Sequence, residues 1–127
     1  MKKVIVLCFT VLIISGCAQK IDPAVQAEAN KPLICKDEKE CDIYWKRSQF
    51  WVANNSHWKV QTVTDTIIST HNPAPNSPLL AYQISKMPND DGTSRIFIKP
   101  FCDNIFGCQP DPDVPTAAFK KFVRTGQ

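Results

Sequence analysis

Four of the six cysteines constrain the fold of this chain more than any other feature. Cys35 and Cys41 enclose "CKDEKEC", and Cys102 and Cys108 enclose "CDNIFGC", both with a C-x5-C spacing. This spacing can close a small local loop, although four cysteines allow three pairings. We expect the local bridges, Cys35–Cys41 and Cys102–Cys108. The alternative, bridges between the two segments, would stabilise more because longer loops lose more denatured-state entropy.

Zinc is the rival interpretation of the same cysteines. Structural zinc sites typically space their cysteines as C-x2–4-C and often add histidines. The spacing is wider here, and neither His57 nor His71 belongs to a repeat around a cysteine. We therefore expect no metal and no cofactor.

The N-terminal segment, MKKVIVLCFTVLIISGC, has the parts of an export signal. Two lysines precede an apolar run over residues 4–14, and Ser15-Gly16 is a small-residue pair at which a signal peptidase can cut. A membrane-spanning helix needs about 20 apolar residues, so the run is too short to span. We expect residues 1–16, which include Cys8, to be removed as a signal peptide; the alternative is an anchor helix that is never cut.

The end of that segment, Ile14-Ser15-Gly16-Cys17, resembles the lipobox of bacterial lipoproteins. The resemblance implies diacylglycerol on the Cys17 thiol, cleavage before Cys17 and a further acyl chain on the new amino group. Two or more acyl chains anchor a protein stably, whereas one holds it only marginally. Ala18 stands where Asp would favour retention at the inner membrane, so the chain resembles lipoproteins sorted to the outer membrane. Its domain would face the periplasm or the cell surface.

The residues after the anchor predict a tether and one small domain. Residues 17–34 contain two prolines, scattered charge and little apolar periodicity, so we expect a lipid anchor and a flexible tether, with a weak helix over 24–29 as the alternative. Residues 35–127 form the expected domain. Its small core would be supplemented by the disulfides.

A helix opens this domain. Asp37 and Glu40 have the spacing of a capping box. Apolar and small residues then recur at helical intervals and predict one buried face, made of Cys41, Tyr44, Trp45, Ser48, Trp51 and Val52. We expect the helix to end at Asn54 and Asn55.

Strand patterns and a second helix follow. "HWKVQTVT" and "TIISTHN" predict two strands or one long bent strand, and "LLAYQISK" and "SRIFIKPF" predict a hairpin across the turn "PNDDG". "PTAAFKKFVRTG" predicts a short helix whose apolar face is Ala118, Phe119, Phe122 and Val123. The fold class is therefore α+β, an antiparallel sheet of three to four strands with helices on one face.

Catalytic patterns are weak. Ser69 and His71 would share a strand face, but the sequence identifies no orienting acid, so we expect a protein that is not an enzyme. Asp111 and Asp113 are interpreted as solvated loop acids, because a calcium loop needs more oxygen ligands.

Charge and exposure indicate the class of partner. Without Lys2 and Lys3 the chain has 13 basic against 12 acidic side chains, a balance that excludes a nucleic-acid footprint. Ile43 and Phe50 lie off the buried helix face and are candidate contacts for an envelope protein. The expected function is a binding or structural role at the membrane. The alternatives are a small-ligand or inhibitor module, using a groove between helix and sheet, and an enzyme around His71.

Two longer stretches, "WVANNSHWKVQTVTDTIIST" and "NIFGCQP", are similar to a group of small proteobacterial lipoproteins of unassigned function. The resemblance covers about residues 35–124. It implies a fold and a cell address, and it brings no functional residues with it.

The lipid anchor has a direct test. Cys17→Ala should block acylation and leave an uncleaved precursor, because the lipobox requires that thiol, whereas Cys8→Ala should leave the mature protein unchanged. Intact mass and membrane fractionation measure both. A Cys17→Ala protein with unchanged mass and unchanged membrane association would contradict the assignment.

Overall fold

A computed structural model describes residues 20–127, so the predicted signal peptide and the predicted lipidation site, Cys17, lie outside the described residues. In this range the chain forms, in order, α1 (Pro23–Asn30), β1 (Leu33–Cys35), α2 (Glu38–Asn55), β2 (Val60–Val63), β3 (Ile67–Thr70), β4 (Ala81–Pro88), β5 (Ser94–Phe101) and α3 (Asp113–Thr125). Among these residues, no helix combines the length and apolar character needed to cross a bilayer.

The strands form one antiparallel sheet in the order β1-β5-β4-β3-β2. The α+β class is therefore confirmed, and within residues 20–127 the sheet has five strands rather than three to four. The β4–β5 hairpin turns through "NDDGT", where Gly92 has a φ of 86° that suits glycine. β2 and β3 are separate strands, because Thr64 Oγ1 accepts the Ile67 backbone N–H at 2.9 Å and closes a tight turn.

Helix α2 packs its predicted face against the sheet. All six predicted core residues of this helix are buried. The Trp51 ring meets Tyr82 of β4 edge-on at 5.5 Å and Phe119 of α3 at 5.3 Å. Trp45 is also buried, and its Nε1–H donates to the Thr64 carbonyl at 3.0 Å. The aromatic side chains thus join both helices to one core.

The start of α2 is held by the predicted cap. Asp37 accepts the Glu40 backbone N–H at 2.8 Å, and the Glu40 carboxylate accepts the Lys36 N–H at 2.8 Å. The other end lies at the predicted exit: Asn55 is the last helical residue, Ser56 is the extended C-cap, and Asn54 and Asn55 donate their side-chain amides back to helix carbonyls.

Both local disulfides are confirmed. Cys35–Cys41 joins β1 to the first turn of α2, with Cα atoms 5.0 Å apart. Cys102–Cys108 closes the loop after β5, with Cα atoms 5.7 Å apart. The four cysteines are thereby paired within their own segments, which overturns the cross-pairing and zinc alternatives.

The predicted flexible tether is wrong from Pro23 onward, because that part of the chain is helix and strand. Asp22 accepts the Ala24 N–H at 2.7 Å, and Pro23 occupies the first helical turn, where no backbone donor is needed. Leu33 then pairs with Ile96 and is only 1% exposed. α1 is short and buries little apolar surface of its own, so its sequence carries a weak helical signal.

Long-range contacts fasten α1 to α3. Lys120 donates its ammonium to the carbonyls of Ala29 and Lys31, the second at 2.7 Å, which satisfies groups near the end of α1. Arg124 pairs with Glu28. Burial, together with the nearby Arg95 charge, lowers the pKa of Lys120.

The buried face of α3 also differs from the prediction. Phe119 and Val123 are fully buried and Phe122 is partly buried, as expected, but Ala117 is buried and Ala118 is exposed. α3 packs against α1 as well as α2, so a second side of the helix is covered. A single-face prediction could not anticipate that, because it did not include α1.

The role of β1 predicts unequal effects of neighbouring substitutions. Leu33→Ala should lower the free energy of unfolding by about 2–5 kcal/mol, because it leaves a cavity in the core. Ile34→Ala is the matched control: Ile34 points away from the core, is 48% exposed, and its loss should cost less than about 1 kcal/mol. Denaturant unfolding measures both. Equal, small effects would show that this segment is a tether after all.

Candidate functional site

The sheet gives the domain two distinct ends. β5 begins at Ser94, which pairs with Cys35, and ends at Phe101, next to Cys102. An eight-residue strand spans about 25 Å. We call these the Cys35 end and the Cys102 end, and each carries one of the disulfides.

Two apolar side chains of α2 lie outside the core, as the sequence predicts. Phe50 is 61% exposed and Ile43 is 40% exposed. The Phe50 ring stacks on Phe122 of α3, with centroids 5.9 Å apart and planes 15° apart. Arg47 lies between them on the same side of the helix, since residues at i, i+4 and i+7 share a face. We call Ile43, Arg47, Phe50 and Phe122 the Phe50 surface.

A mixed-charge depression borders Ile43 toward the Cys35 end. It has a volume of about 430 Å³ and is lined by Lys36, Asp37, Lys39, Glu40, Ile43, Tyr44, Arg47 and Arg124. Burial raises the pKa of Tyr44, and the neighbouring Glu40 charge raises it further, so this phenol stays protonated near neutral pH. An apolar centre beside charged groups of both signs is a common arrangement of protein interfaces.

Arg47 makes this surface rigid. Its guanidinium donates to the carbonyls of Val123 at 2.9 Å and Arg124 at 3.2 Å, and so caps the end of α3. Gly126 follows with a φ of 76°, and a Cβ there would lie 2.9 Å from Arg47 Nη2. The backbone conformation therefore favours glycine, and a larger residue would also displace the Arg47 guanidinium.

The sequence's candidate catalytic groups lie apart from this surface. His71 is exposed beyond the end of β3, and its backbone N–H donates to Lys59 at 2.9 Å. Ser69 sits opposite Gln83 in the sheet. Asp111 accepts the Asp113 N–H at 2.9 Å and so turns the chain into α3. Among residues 20–127, no cluster of three or more metal-ligating side chains occurs.

The groove proposed for a small ligand is filled by side chains in the described part of the chain. Between α2 and the sheet lie the Trp51–Tyr82 contact and the fully buried Val52 and Ile84. Trp58, at the exit of α2, is half-buried and donates Nε1–H to Leu79 at 3.3 Å. This interface is a packed core.

An exposed apolar tip was missed by sequence reasoning. Ile105 is 89% exposed and Phe106 is 92% exposed, inside the loop closed by Cys102–Cys108. Asn104 accepts the Phe106 N–H at 2.9 Å and donates its amide to Asn76 at 2.7 Å. A signal was present: "NIFG" places two large apolar residues between turn formers, in a ring too small for a core of its own. We call this pair the Ile105–Phe106 tip.

No family model, curated protein or solved structure matches the chain.

Arg47 and its neighbour Lys46 form a matched pair for testing the α2–α3 junction. Arg47→Met should lower the free energy of unfolding by about 1–3 kcal/mol, because α3 loses a charged cap. Lys46 pairs with Asp42 in solvent, 2.8 Å away, so Lys46→Met should cost less than about 0.5 kcal/mol. Thermal or denaturant unfolding measures the difference, and equal losses would contradict the assigned role of Arg47.

Proposed function

We propose that the chain is a non-enzymatic lipoprotein of the bacterial envelope. Acylated Cys17 anchors it at the outer membrane, and the folded domain binds an envelope protein through the Phe50 surface. The lipobox resemblance supports the anchor. The disulfides of the described domain are typical of proteins outside the cytoplasm, where they persist.

The observation that carries the binding role is the exposure of Phe50. A solvent-exposed phenylalanine would normally be free to change rotamer, but here Phe122 stacks against it. An aromatic ring that is already ordered loses little conformational entropy when a partner covers it. Rigid aromatic anchors of this kind commonly carry much of an interface's binding energy.

Charges around the ring support a protein partner. Arg47 lies one helical turn from Phe50, and the depression beside Ile43 provides further donors and acceptors toward the start of α2. A partner that covers Phe50 and Ile43 could then pair with Lys39 or Glu40 at the edge. Such a polar rim surrounding an apolar centre gives specificity in addition to area.

Charge insertion tests this role. In the full-length protein, Phe50→Asp should strongly reduce crosslinking to the partner in intact cells, because a carboxylate buried in an apolar contact is unfavourable. Met87→Asp is the matched control. Met87 is 51% exposed and lies on the sheet face that the helices leave uncovered. The Met87→Asp variant should therefore still crosslink to the partner.

Thermal unfolding and non-reducing peptide mapping establish that both variants are folded and correctly bridged. Equal capture of crosslinked partner by the wild type, Phe50→Asp and Met87→Asp would overturn the proposed surface. Equal loss in both aspartate variants would also contradict it, because the effect would not depend on Phe50.

A further inference from the structure

The described chain starts at the Cys102 end. Lys20, Ile21, Asp22 and Val25 line a cavity of about 380 Å³ together with Gln109, Pro110, Asp111 and Val114. α1 then runs alongside α3 in the same direction, since Val25 lies near Val114 and Glu28 pairs with Arg124. Lys20, the described residue nearest to Cys17 in the sequence, therefore lies at the end of the domain that carries the Cys102–Cys108 loop.

Only a short piece of chain separates Lys20 from the proposed anchor, Cys17. Three residues of extended chain from Lys20 to Cys17 reach about 10 Å. Lys20 and Gln109 line the same cavity. Phe106 is only three residues before Gln109 in the sequence, so the tip also lies near Lys20. An acylated Cys17 would thus bring the bilayer surface to the end of the domain that carries the Ile105–Phe106 tip.

The tip is held in position by its surroundings. The disulfide closes the loop, and the Asp103 N–H donates to Ser77 at 3.1 Å while the Gln109 N–H donates to Pro78 at 2.8 Å. These contacts fix both sides of the loop to the segment before β4. Two adjacent large apolar side chains are consequently held almost wholly in water, an unfavourable arrangement unless something apolar covers them.

We propose that the Ile105–Phe106 tip inserts into the interfacial region of the bilayer that holds the acyl chains of Cys17. The inference rests on the proposed anchor and adds to it a second membrane contact and an orientation. Apolar side chains of surface-bound proteins enter the headgroup–acyl boundary to a depth of about 5–10 Å. The Phe50 surface lies on the flank formed by α2 and α3, from the level of Tyr82 toward the Cys35 end, so it stays uncovered by this bilayer.

Charge around the tip specifies the lipid. Asp22, Asp103 and Asp111 lie at this end beside Lys20, so carboxylates outnumber the ammonium. An anionic surface would repel them. The tip therefore suits zwitterionic lipid, such as phosphatidylethanolamine, and its contact depends on burial of apolar area rather than on charge.

Lipid-borne quenching tests the insertion. Full-length acylated protein carrying Phe106→Trp is reconstituted into phosphatidylethanolamine–phosphatidylcholine vesicles that contain lipids brominated along the acyl chain. Relative to wild type, the added indole emission should be blue-shifted and lost to the bromolipid. Phe97→Trp, on the open face of the sheet, is the matched control and should be quenched by aqueous acrylamide instead.

Intact mass of the same samples separates the two proposals. Acylated Phe106→Trp protein whose added indole emission is quenched by acrylamide and not by bromolipid would overturn tip insertion and leave the anchor standing. Protein without acyl chains would overturn the anchor and the insertion together. Lipid quenching equal at positions 97 and 106 would contradict the proposed orientation.

Discussion

The fold depends on the position of Trp51 between Tyr82 and Phe119. This one side chain of α2 contacts the sheet on one side and α3 on the other, with ring centroids 5.5 and 5.3 Å away. Because α3 in turn holds α1 through Lys120, the N-terminal helix is connected to the sheet through the same core. The aromatic helix therefore lies between layers and organises them, which explains why so small a domain devotes two buried tryptophans to one helix.

Sequence reasoning succeeded where the physical signal was local and strong. The buried face of α2, its Asp37 cap, the β4–β5 hairpin and both disulfide pairings each follow from spacing within a short stretch. The short strand β1 was not predicted in this way, and α1 was predicted only as a weak helix over 24–29, the alternative to a tether. Both elements are stabilised by α3 and β5, which lie far away in the sequence, as the pairing of Leu33 with Ile96 shows.

In the candidate surfaces, too, features set by local sequence could be predicted and features set by long-range packing could not. Ile43 and Phe50 stand off a helical stripe, so their exposure could be predicted from helix geometry. Stacking of Phe50 on Phe122 could not, because it depends on how α2 and α3 cross. Ile105 and Phe106 lie in a loop without periodicity, where pattern rules distinguish poorly between an exposed tip and a side chain turned into the core.

The two surfaces imply one orientation of the domain on the membrane. Lys20 and the apolar tip lie together at the Cys102 end, while the Phe50 surface lies on the flank of α2 and α3, from the level of Tyr82 toward the Cys35 end. The central claim is that the Cys102 end faces lipid while the Phe50 surface, on the flank of α2 and α3, stays open to a protein. Hydroxyl-radical footprinting of the full-length acylated protein on vesicles tests it most directly. In the described domain Phe106 is 92% exposed and Phe50 is 61% exposed. Without vesicles, Phe106 should therefore be labelled faster than Phe50. We expect vesicles to reverse this order, protecting Ile105 and Phe106 while Phe50 stays labelled; an unchanged order, with Phe106 still the more reactive, would contradict the claim.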